Sequence, residues 1–368
     1  MTDGDGDTTG AKPNPGAGGA SRYLDTQGVY RYVADRLGRA SDWALSPHAA
    51  GLGNETLFLV WDHRQFVLRR PPLDGAPADA HDPLREYRAL VALDGTDLPT
   101  PRPVLACGDA SVAGAPFTVV ERLDGDVLRH GEPVSYAASD HRHRVGAEMV
   151  DTLAAIHGQD LDALDVDGDE SALSHPPLAE RVATWRDRFA RYRAATDRPV
   201  PGAGDVAEWL AANVPDPAEP TLVHGDFTLA NVVFTRAAPP DLVGVLDWER
   251  AGVGDPRLDL ARLLVTWFET EDERAGLPYD LAPGFTTRDG YPSRADLRDR
   301  YEEATGRTYD HDRFFRAFAC FELAAVCEAY YRRHCHNVSD HPSFAALDEA
   351  VPRLVERAQE IIESDESI

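Results

Sequence analysis

The chain has 368 residues, which is long enough for two compact units that each bury their own core. Its 63 acidic residues against 37 basic ones give a formal net charge of −26, and Lys12 is the only lysine. This charge disfavours binding to nucleic acid or to anionic membranes, because both need basic surfaces. It predicts a halophilic surface, since high salt screens the repulsion between acidic side chains.

Cysteine usage and hydropathy favour a cytoplasmic protein. Four cysteines are too few for a disulfide scaffold in a chain of this length. No apolar run approaches the roughly 18 residues that a membrane span needs. The N-terminus also lacks the basic and apolar regions of a signal peptide. We therefore expect reduced thiols and a cytoplasmic location.

The N-terminal part begins with a segment that has almost nothing to bury. Residues 1–20 are rich in Gly, Pro, Asp and Thr, which predicts a disordered tail. Helical spacing of apolar residues predicts a first helix over 22–37. A glycine-containing loop then leads into two apolar runs, 57–61 and 66–68, which predict a β-hairpin.

A second helix and two further strands follow the hairpin. An apolar stripe predicts a helix over 83–93, and short apolar runs predict strands over 104–107 and 117–121. The turn Asp124-Gly125-Asp126 comes next. We predict an N-terminal lobe over 21–123 and a C-terminal lobe over 124–368.

The C-terminal part has mainly helical periodicity. Helices are predicted over 141–157, 178–195, 205–214, 256–268, 312–333 and 343–362. Cys320 and Cys327 lie seven residues apart, and Cys335 is flanked by two histidines, which raises zinc binding as an alternative. Cysteines at this spacing among apolar residues are better explained as part of a helix core.

The stretch 221–260 interrupts the helical pattern and carries the candidate chemistry. Short apolar runs flank a loop that contains His224, Asp226 and Asn231, and Asp247 follows the next apolar run. The spacing H-x-D-x-x-x-x-N is that of a kinase catalytic loop. Phosphoryl transfer needs a carboxylate near the acceptor hydroxyl and oxygen ligands for Mg²⁺. We predict Asp226 as the catalytic base, Asn231 and Asp247 as metal ligands, and His224 as structural support.

A kinase also needs N-terminal groups that hold the nucleotide. The loop with Gly51, Gly53 and Asn54 lets backbone N–H groups approach phosphates, although a G-x-G pattern alone also fits an ordinary turn. Kinases place a lysine on the third strand. Here Arg69 is predicted to replace it, with Arg70 as the alternative on the opposite face of the strand.

Two further contacts of the nucleotide site are predicted. Glu86, on the helix over 83–93, is expected to pair with Arg69 as the corresponding glutamate does in kinases. The backbone from Glu121 to Leu123 is expected to face the adenine.

This ordered set resembles the aminoglycoside phosphotransferase and choline kinase superfamily, small-molecule kinases with a protein-kinase-like fold. The motifs that carry the resemblance are the H-G-D-x-x-x-x-N loop from His224 to Asn231, Asp247 in LDWE, and G-D-P-x-x-D-L-A from Gly254 to Ala261. The resemblance implies that Asp259 braces the catalytic loop. The stretches FVLRRPP, REYRAL and TDLPTPRPV are similar in particular to the kinase domain attached to some acyl-CoA dehydrogenases, which implies hydroxyacyl substrates.

We therefore predict an α+β, protein-kinase-like, two-lobed fold with an N-terminal antiparallel sheet plus helix and a mostly helical C-terminal lobe. ATP and Mg²⁺ are expected between the lobes. The predicted reaction transfers the γ-phosphoryl group to a hydroxyl of a small molecule, which is a hydroxyacyl, aminoglycoside-like or choline-like compound. GTP as donor, a pseudokinase or regulatory module without turnover, and a metal-dependent phosphohydrolase are the alternatives.

Overall fold

The computed structural model describes residues 24–48, 54–71, 82–129, 131–164, 174–270, 272, 283–336, 343–364 and 368. Gly51, Gly53 and the predicted tail over 1–20 lie outside these residues. The chain divides into two compact units, the first being Met1–Leu84 with Arg102–Arg122 and the second Arg85–Pro101 with Leu123–Ile368. Residues 85–101, which the sequence analysis placed in the N-terminal lobe, thus belong to the second unit.

The first unit contains a five-stranded antiparallel sheet in the order β1-β2-β3-β5-β4. Its strands are β1 (Trp43–His48), β2 (Glu55–Trp61), β3 (Arg64–Arg70), β4 (Pro103–Cys107) and β5 (Phe117–Glu121). Its helices are α1 (Thr26–Leu37) and the short α3 (Ala110–Ala113), while α2 (Pro83–Leu93) crosses into the second unit. Strand β1 was missed by the sequence analysis, because it is a mostly exposed edge strand that contains Pro47.

One face of this sheet packs against α1. The helix begins after Asp25, whose carboxylate accepts the Gly28 N–H at 2.9 Å. Its buried residues Val29 and Val33 join a core made by alternate residues of the strands. That core contains Leu57, Leu59, Trp61, Phe66, Leu68, Leu105, Cys107, Phe117 and Val119. The residues between them therefore lie on the other face of the sheet.

The second unit is mostly helical. Its helices are α4 (Ser139–His157), α5 (Leu178–Thr196), α6 (Ala203–Ala212), α7 (Arg257–Thr266), α8 (Arg294–Thr305), α9 (Asp312–Cys335) and α10 (Ser343–Glu363). Helix α9 is largely buried, and α5, α6, α7 and α10 pack against it. Cys320 and Cys327 are buried on α9, as expected for core residues. Helix α8 was missed by the sequence analysis because it buries few apolar residues, chiefly Leu297 and Tyr301.

Two small antiparallel sheets interrupt the helices of the second unit. Strand β6 (Thr221–Val223) pairs with β9 (Gly252–Gly254), and β7 (Val232–Phe234) pairs with β8 (Leu242–Val245). In chain order, the strands of the pair β7·β8 thus lie between the two strands of the pair β6·β9, and we call this arrangement nested. The predicted short strands around the loop are confirmed, and so is the α+β class with an N-terminal antiparallel sheet. Within the described ranges no helix is long and apolar enough to cross a membrane.

Candidate active site

Two loops lie side by side at one edge of the nested strands. Loop A (residues 224–231) joins β6 to β7, and loop B (residues 246–251) joins β8 to β9. The register pairs the residues that flank the loops, Val223 with Gly252 and Val232 with Val245. The Leu246 N–H also donates to the Asn231 carbonyl at 2.8 Å. The structure therefore brings loop A, with Asp226 and Asn231, against loop B, with Asp247.

Gly225 is needed where the two loops touch. Its φ is +84°, and a Cβ atom at this position would lie 2.5 Å from the carbonyl oxygen of Arg250 in loop B. Side chains other than glycine are disfavoured at this φ and have no room here. The glycine of the H-G-D motif thus follows from the close approach of the loops.

His224 connects loop A to loop B from the interior. Its ring is fully buried, and Nε2 lies 2.9 Å from the carbonyl oxygen of Leu246. Nδ1 lies 3.2 Å from the backbone N of Asp226. A neutral ring that donates from Nε2 and accepts at Nδ1 satisfies both contacts. The ring also packs edge-on against buried Trp248, with centroids 4.8 Å apart.

Asp259, in the first turn of α7, accepts backbone N–H groups from loop A. Its Oδ2 accepts from His224 N at 2.6 Å and its Oδ1 from Gly225 N at 2.8 Å. His157 Nε2 lies 3.4 Å from Oδ2, while its Nδ1 is 2.6 Å from the Tyr301 hydroxyl. Burial alone raises the pKa of Asp259, but the interactions with His157 and the hydrogen bond from the backbone N–H of His224 outweigh it and lower the pKa to about 2. The Asp259 carboxylate is therefore ionised and holds loop A through these two backbone hydrogen bonds.

Asp226 is held at both carboxylate oxygens. The Asn231 amide nitrogen donates to the Asp226 backbone carbonyl at 2.9 Å and to Oδ2 at 3.2 Å. On the other side, Nε of Arg262 lies 3.3 Å from Oδ1. A third of the Asp226 side chain remains exposed, so the fixed carboxylate is still accessible. In both contacts Asn231 uses its amide nitrogen and not its amide oxygen.

Arg262 is a site residue that the sequence analysis missed. It lies on α7, three residues after Asp259 and thus on a neighbouring position of the same helix face. An arginine inside the apolar run LARLLVTW was the signal that could have found it. A cation in such a run needs a buried partner.

Asp247 begins loop B's turn with an unusual backbone conformation. Its φ is 68°, in the left-handed region that aspartate tolerates better than most residues. The indole N–H of Trp248 donates to the Val245 carbonyl at 2.9 Å and fixes the turn. A carboxylate here and an amide oxygen at Asn231 are donors that suit Mg²⁺. No cluster of three or more His, Cys, Asp or Glu side chains placed to hold a metal occurs in the part of the chain that the structure describes.

Within the first unit, the two candidate arginines lie on opposite faces of β3. Arg69 is flanked across the sheet by Thr56 and Thr118, on the face away from α1. Arg70 is fully buried on the other face. Its Nε donates to Glu55 at 2.8 Å, and its Nη1 donates to the Ala113 carbonyl at 2.9 Å. Arg70 is therefore occupied by contacts inside its own unit.

The remaining predicted nucleotide-site residues lie at the ends of elements. Asn54 is buried just before β2, and Glu86 is buried in the first turn of α2. Glu121 ends β5, with its carboxylate 3.4 Å from Arg64. The Leu123 side chain fills the space above Gly244, where a Cβ atom would lie 2.1 Å from Cδ1. The pairing of Glu86 with Arg69 and the adenine contact of residues 121–123 stay predictions.

Comparison with known families identifies a match over most of the described site. The model of the phosphotransferase enzyme family matches residues 44–309. Human acyl-CoA dehydrogenase family member 11 is 28% identical over 347 residues. That match covers 90% of this chain and 43% of the human protein, so the chain spans less than half the length of this relative.

Solved structures share the fold. A structure from Ralstonia eutropha, described as an aminoglycoside phosphotransferase, aligns with a TM-score of 0.70 and 26% identity, covering 92% of this chain and 98% of that one. The streptomycin–ATP ternary complex of APH(2")-IIa aligns with a TM-score of 0.55 and 13% identity, covering 92% and 98%. The second likeness concerns the fold alone.

Proposed function

This chain belongs to the phosphotransferase enzyme family, and from that premise we propose that it transfers the γ-phosphoryl group of ATP to a hydroxyl group of a small hydroxyacyl compound. The observation that carries the proposal is the carboxylate of Asp226, accessible yet fixed at both oxygens by Asn231 and Arg262. Positioning and electrostatics, more than covalent chemistry, accelerate phosphoryl transfer. The Asp226 carboxylate, which is held in place before the acceptor binds, meets this requirement for positioning.

Asp226 receives the acceptor in this reaction. Its carboxylate accepts a hydrogen bond from the acceptor hydroxyl and takes the proton as the new O–P bond forms. The bond from Pγ to the bridging oxygen breaks, and ADP leaves with the electron pair. His224 and Asp259 hold loop A in place through the buried contacts described above.

Asn231 and Asp247 would hold Mg²⁺ through their amide and carboxylate oxygens. When bound, the ion neutralises phosphate charge. Arg69 is proposed to hold phosphate oxygens, because it lies on the face of β3 away from α1, whereas Arg70 is fully buried on the other face. ATP is proposed as the donor because a protein of the same fold was solved with ATP.

The proposed acceptor class follows from sequence similarity. The match to acyl-CoA dehydrogenase family member 11 extends over 90% of this chain, which favours a hydroxyacyl thioester of coenzyme A. The structure from Ralstonia eutropha makes an aminoglycoside the competing acceptor. Choline is a third compound to test.

The first prediction concerns Asp226. Purified protein with Mg-ATP should phosphorylate at least one member of a panel of hydroxyacyl-CoA esters, aminoglycosides and choline. Asp226→Asn should lower the rate by roughly 10²- to 10⁴-fold, because the acceptor proton loses its base. ATP binding, measured by calorimetry, should persist. Asp205→Asn on the exposed surface of α6 is the matched control and should keep full activity.

Other outcomes would assign the site differently. Phosphate release that does not depend on any acceptor, as the main activity, would identify a phosphohydrolase. ATP binding without turnover would identify a pseudokinase. Phosphorylation of an aminoglycoside in preference to every hydroxyacyl ester would refute the proposed acceptor class and leave the kinase reaction intact.

A further inference from the structure

We propose that Arg262 is a positioning residue for Asp226, held in place by the buried carboxylate of Glu322. The inference rests on the proposed function, in which Asp226 faces the acceptor. It assigns to α7 and α9 a direct part in orienting the carboxylate of loop A.

The guanidinium of Arg262 is buried between two carboxylates. The residue is 3% exposed, and its Nε lies 3.3 Å from Asp226 Oδ1. Its Nη2 lies 3.5 Å from Oε2 of Glu322, and its Nη1 lies 3.5 Å from the Ala319 carbonyl oxygen. A buried cation is stable only when opposite charges and acceptors surround it. The partners of Arg262 therefore fix its position.

Glu322 is itself fixed from a second helix. Arg181 of α5 donates to both carboxylate oxygens of Glu322, from Nε at 2.9 Å and from Nη2 at 3.3 Å. Burial raises the pKa of Glu322, but the charges of Arg181, Arg250 and Arg262 outweigh it and leave the pKa below its usual value. An ionised Glu322 with a firm second partner is a stable support for Arg262.

These contacts form a line of alternating charge from α5 to loop A. The order is Arg181, Glu322, Arg262, Asp226. The last torsion of an aspartate side chain is broad, so an unsupported carboxylate samples many orientations. Contacts at Oδ1 by Arg262 and at Oδ2 by Asn231 restrict that rotation. The carboxylate is thereby held in one orientation before the acceptor binds.

The test compares Arg262 with Arg316, another buried and ion-paired arginine of the second unit, whose partner is Asp312 instead of Glu322. Arg262→Met keeps the length and removes the charge. It should lower kcat by roughly 10- to 100-fold, because a misoriented catalytic group costs about that much. KM for ATP should change little. Arg262→Lys should recover part of kcat because it restores the charge. Arg316→Met is the matched control: it also removes a buried ion pair, with Asp312 of α9, yet kcat should stay near that of the unmodified protein.

Turnover is measured as ADP formed from Mg-ATP, with 3-hydroxybutyryl-CoA and without acceptor. If Asp226→Asn abolishes ADP formation but Arg262→Met keeps kcat, the positioning role is wrong and the proposed function stands. Equal losses of kcat in Arg316→Met and Arg262→Met would also overturn it, because they indicate general damage to the core. If Asp226→Asn keeps full turnover, the proposed function itself fails.

A double-mutant cycle tests the coupling without any turnover. Urea unfolding midpoints are measured for Asp226→Asn, Arg262→Met and the double variant, and then for Arg316→Met alone and combined with Asp226→Asn. The first cycle should be clearly non-additive, because each single change removes one end of the same ion pair. The second should be close to additive. Additive shifts in the first cycle would refute the contact, even in a protein that forms no ADP.

Discussion

Two adjacent arginines of β3 show how strand alternation places neighbouring residues in different surroundings at the scale of single residues. Arg70 points into the first unit, where Glu55 and the Ala113 carbonyl bind it. Arg69 lies on the opposite face, in register with Thr56 and Thr118. The sequence predicted opposite faces but not which face was which. That choice depends on α1 and α3, whose positions a strand pattern does not contain.

A matched pair of substitutions separates the two roles. Arg69→Met should raise KM for ATP or lower kcat, because it removes the proposed phosphate ligand, and it should cost less stability than Arg70→Met because Arg69 is only half-buried. Arg70→Met should lower the free energy of unfolding by about 2 kcal/mol, since Glu55 and a buried carbonyl lose their donor. Steady-state kinetics and urea unfolding measure both. The reverse pattern would assign the phosphate role to Arg70.

At the scale of elements, the nested strands determine where the candidate catalytic residues lie. The spacing of His224, Asp226 and Asn231 in the sequence was enough to predict loop A and the strands around it. The sequence did not predict Arg262 as a site residue, because its partners Asp226 and Glu322 come from distant parts of the chain. The pairing of β6 with β9, which closes loop B against loop A, also needed the structure.

Gly225 offers a test of this close approach. Gly225→Ala should destabilise the protein and abolish turnover, because the new Cβ atom would meet the Arg250 carbonyl at 2.5 Å with φ at +84°. Gly204→Ala in α6 is the control, since no atom lies within 4 Å of its added Cβ. It should raise the free energy of unfolding by roughly 0.5 to 1 kcal/mol. Thermal unfolding and ADP formation report both, and an active Gly225→Ala variant would show that the loops can separate.

At the scale of the whole molecule, this small-molecule kinase combines an acidic composition with arginine-rich buried contacts. The net charge is −26, yet Arg70, Arg181 and Arg262 are all buried against carboxylates. The net charge follows from composition alone. Composition could not predict these pairs, because a count of charges does not say which ones meet in the interior.

The charge leads to a prediction about salt. Raising KCl from about 0.1 M to about 1 M shortens the Debye length from about 10 Å to about 3 Å, which should raise the unfolding temperature by reducing repulsion among acidic groups. Calorimetry at neutral pH measures the shift. Near pH 5, close to the sequence pI of about 4.8, the shift should shrink because the net charge is small. An equal shift at both pH values would mean that charge is not the cause.

The nesting of β7·β8 inside β6·β9 also limits how such a chain can change length. Paired register fixes both ends of loop A and both ends of loop B, so an inserted or deleted residue either changes the path of the loop and displaces Asp226, Asn231 or Asp247, or shifts a strand pair and turns its side chains to the other face. Insertions and deletions should therefore be excluded from residues 224–231 and 246–251. New acceptor preferences would have to arise in the surrounding helices, where a change of length leaves the two loops in place.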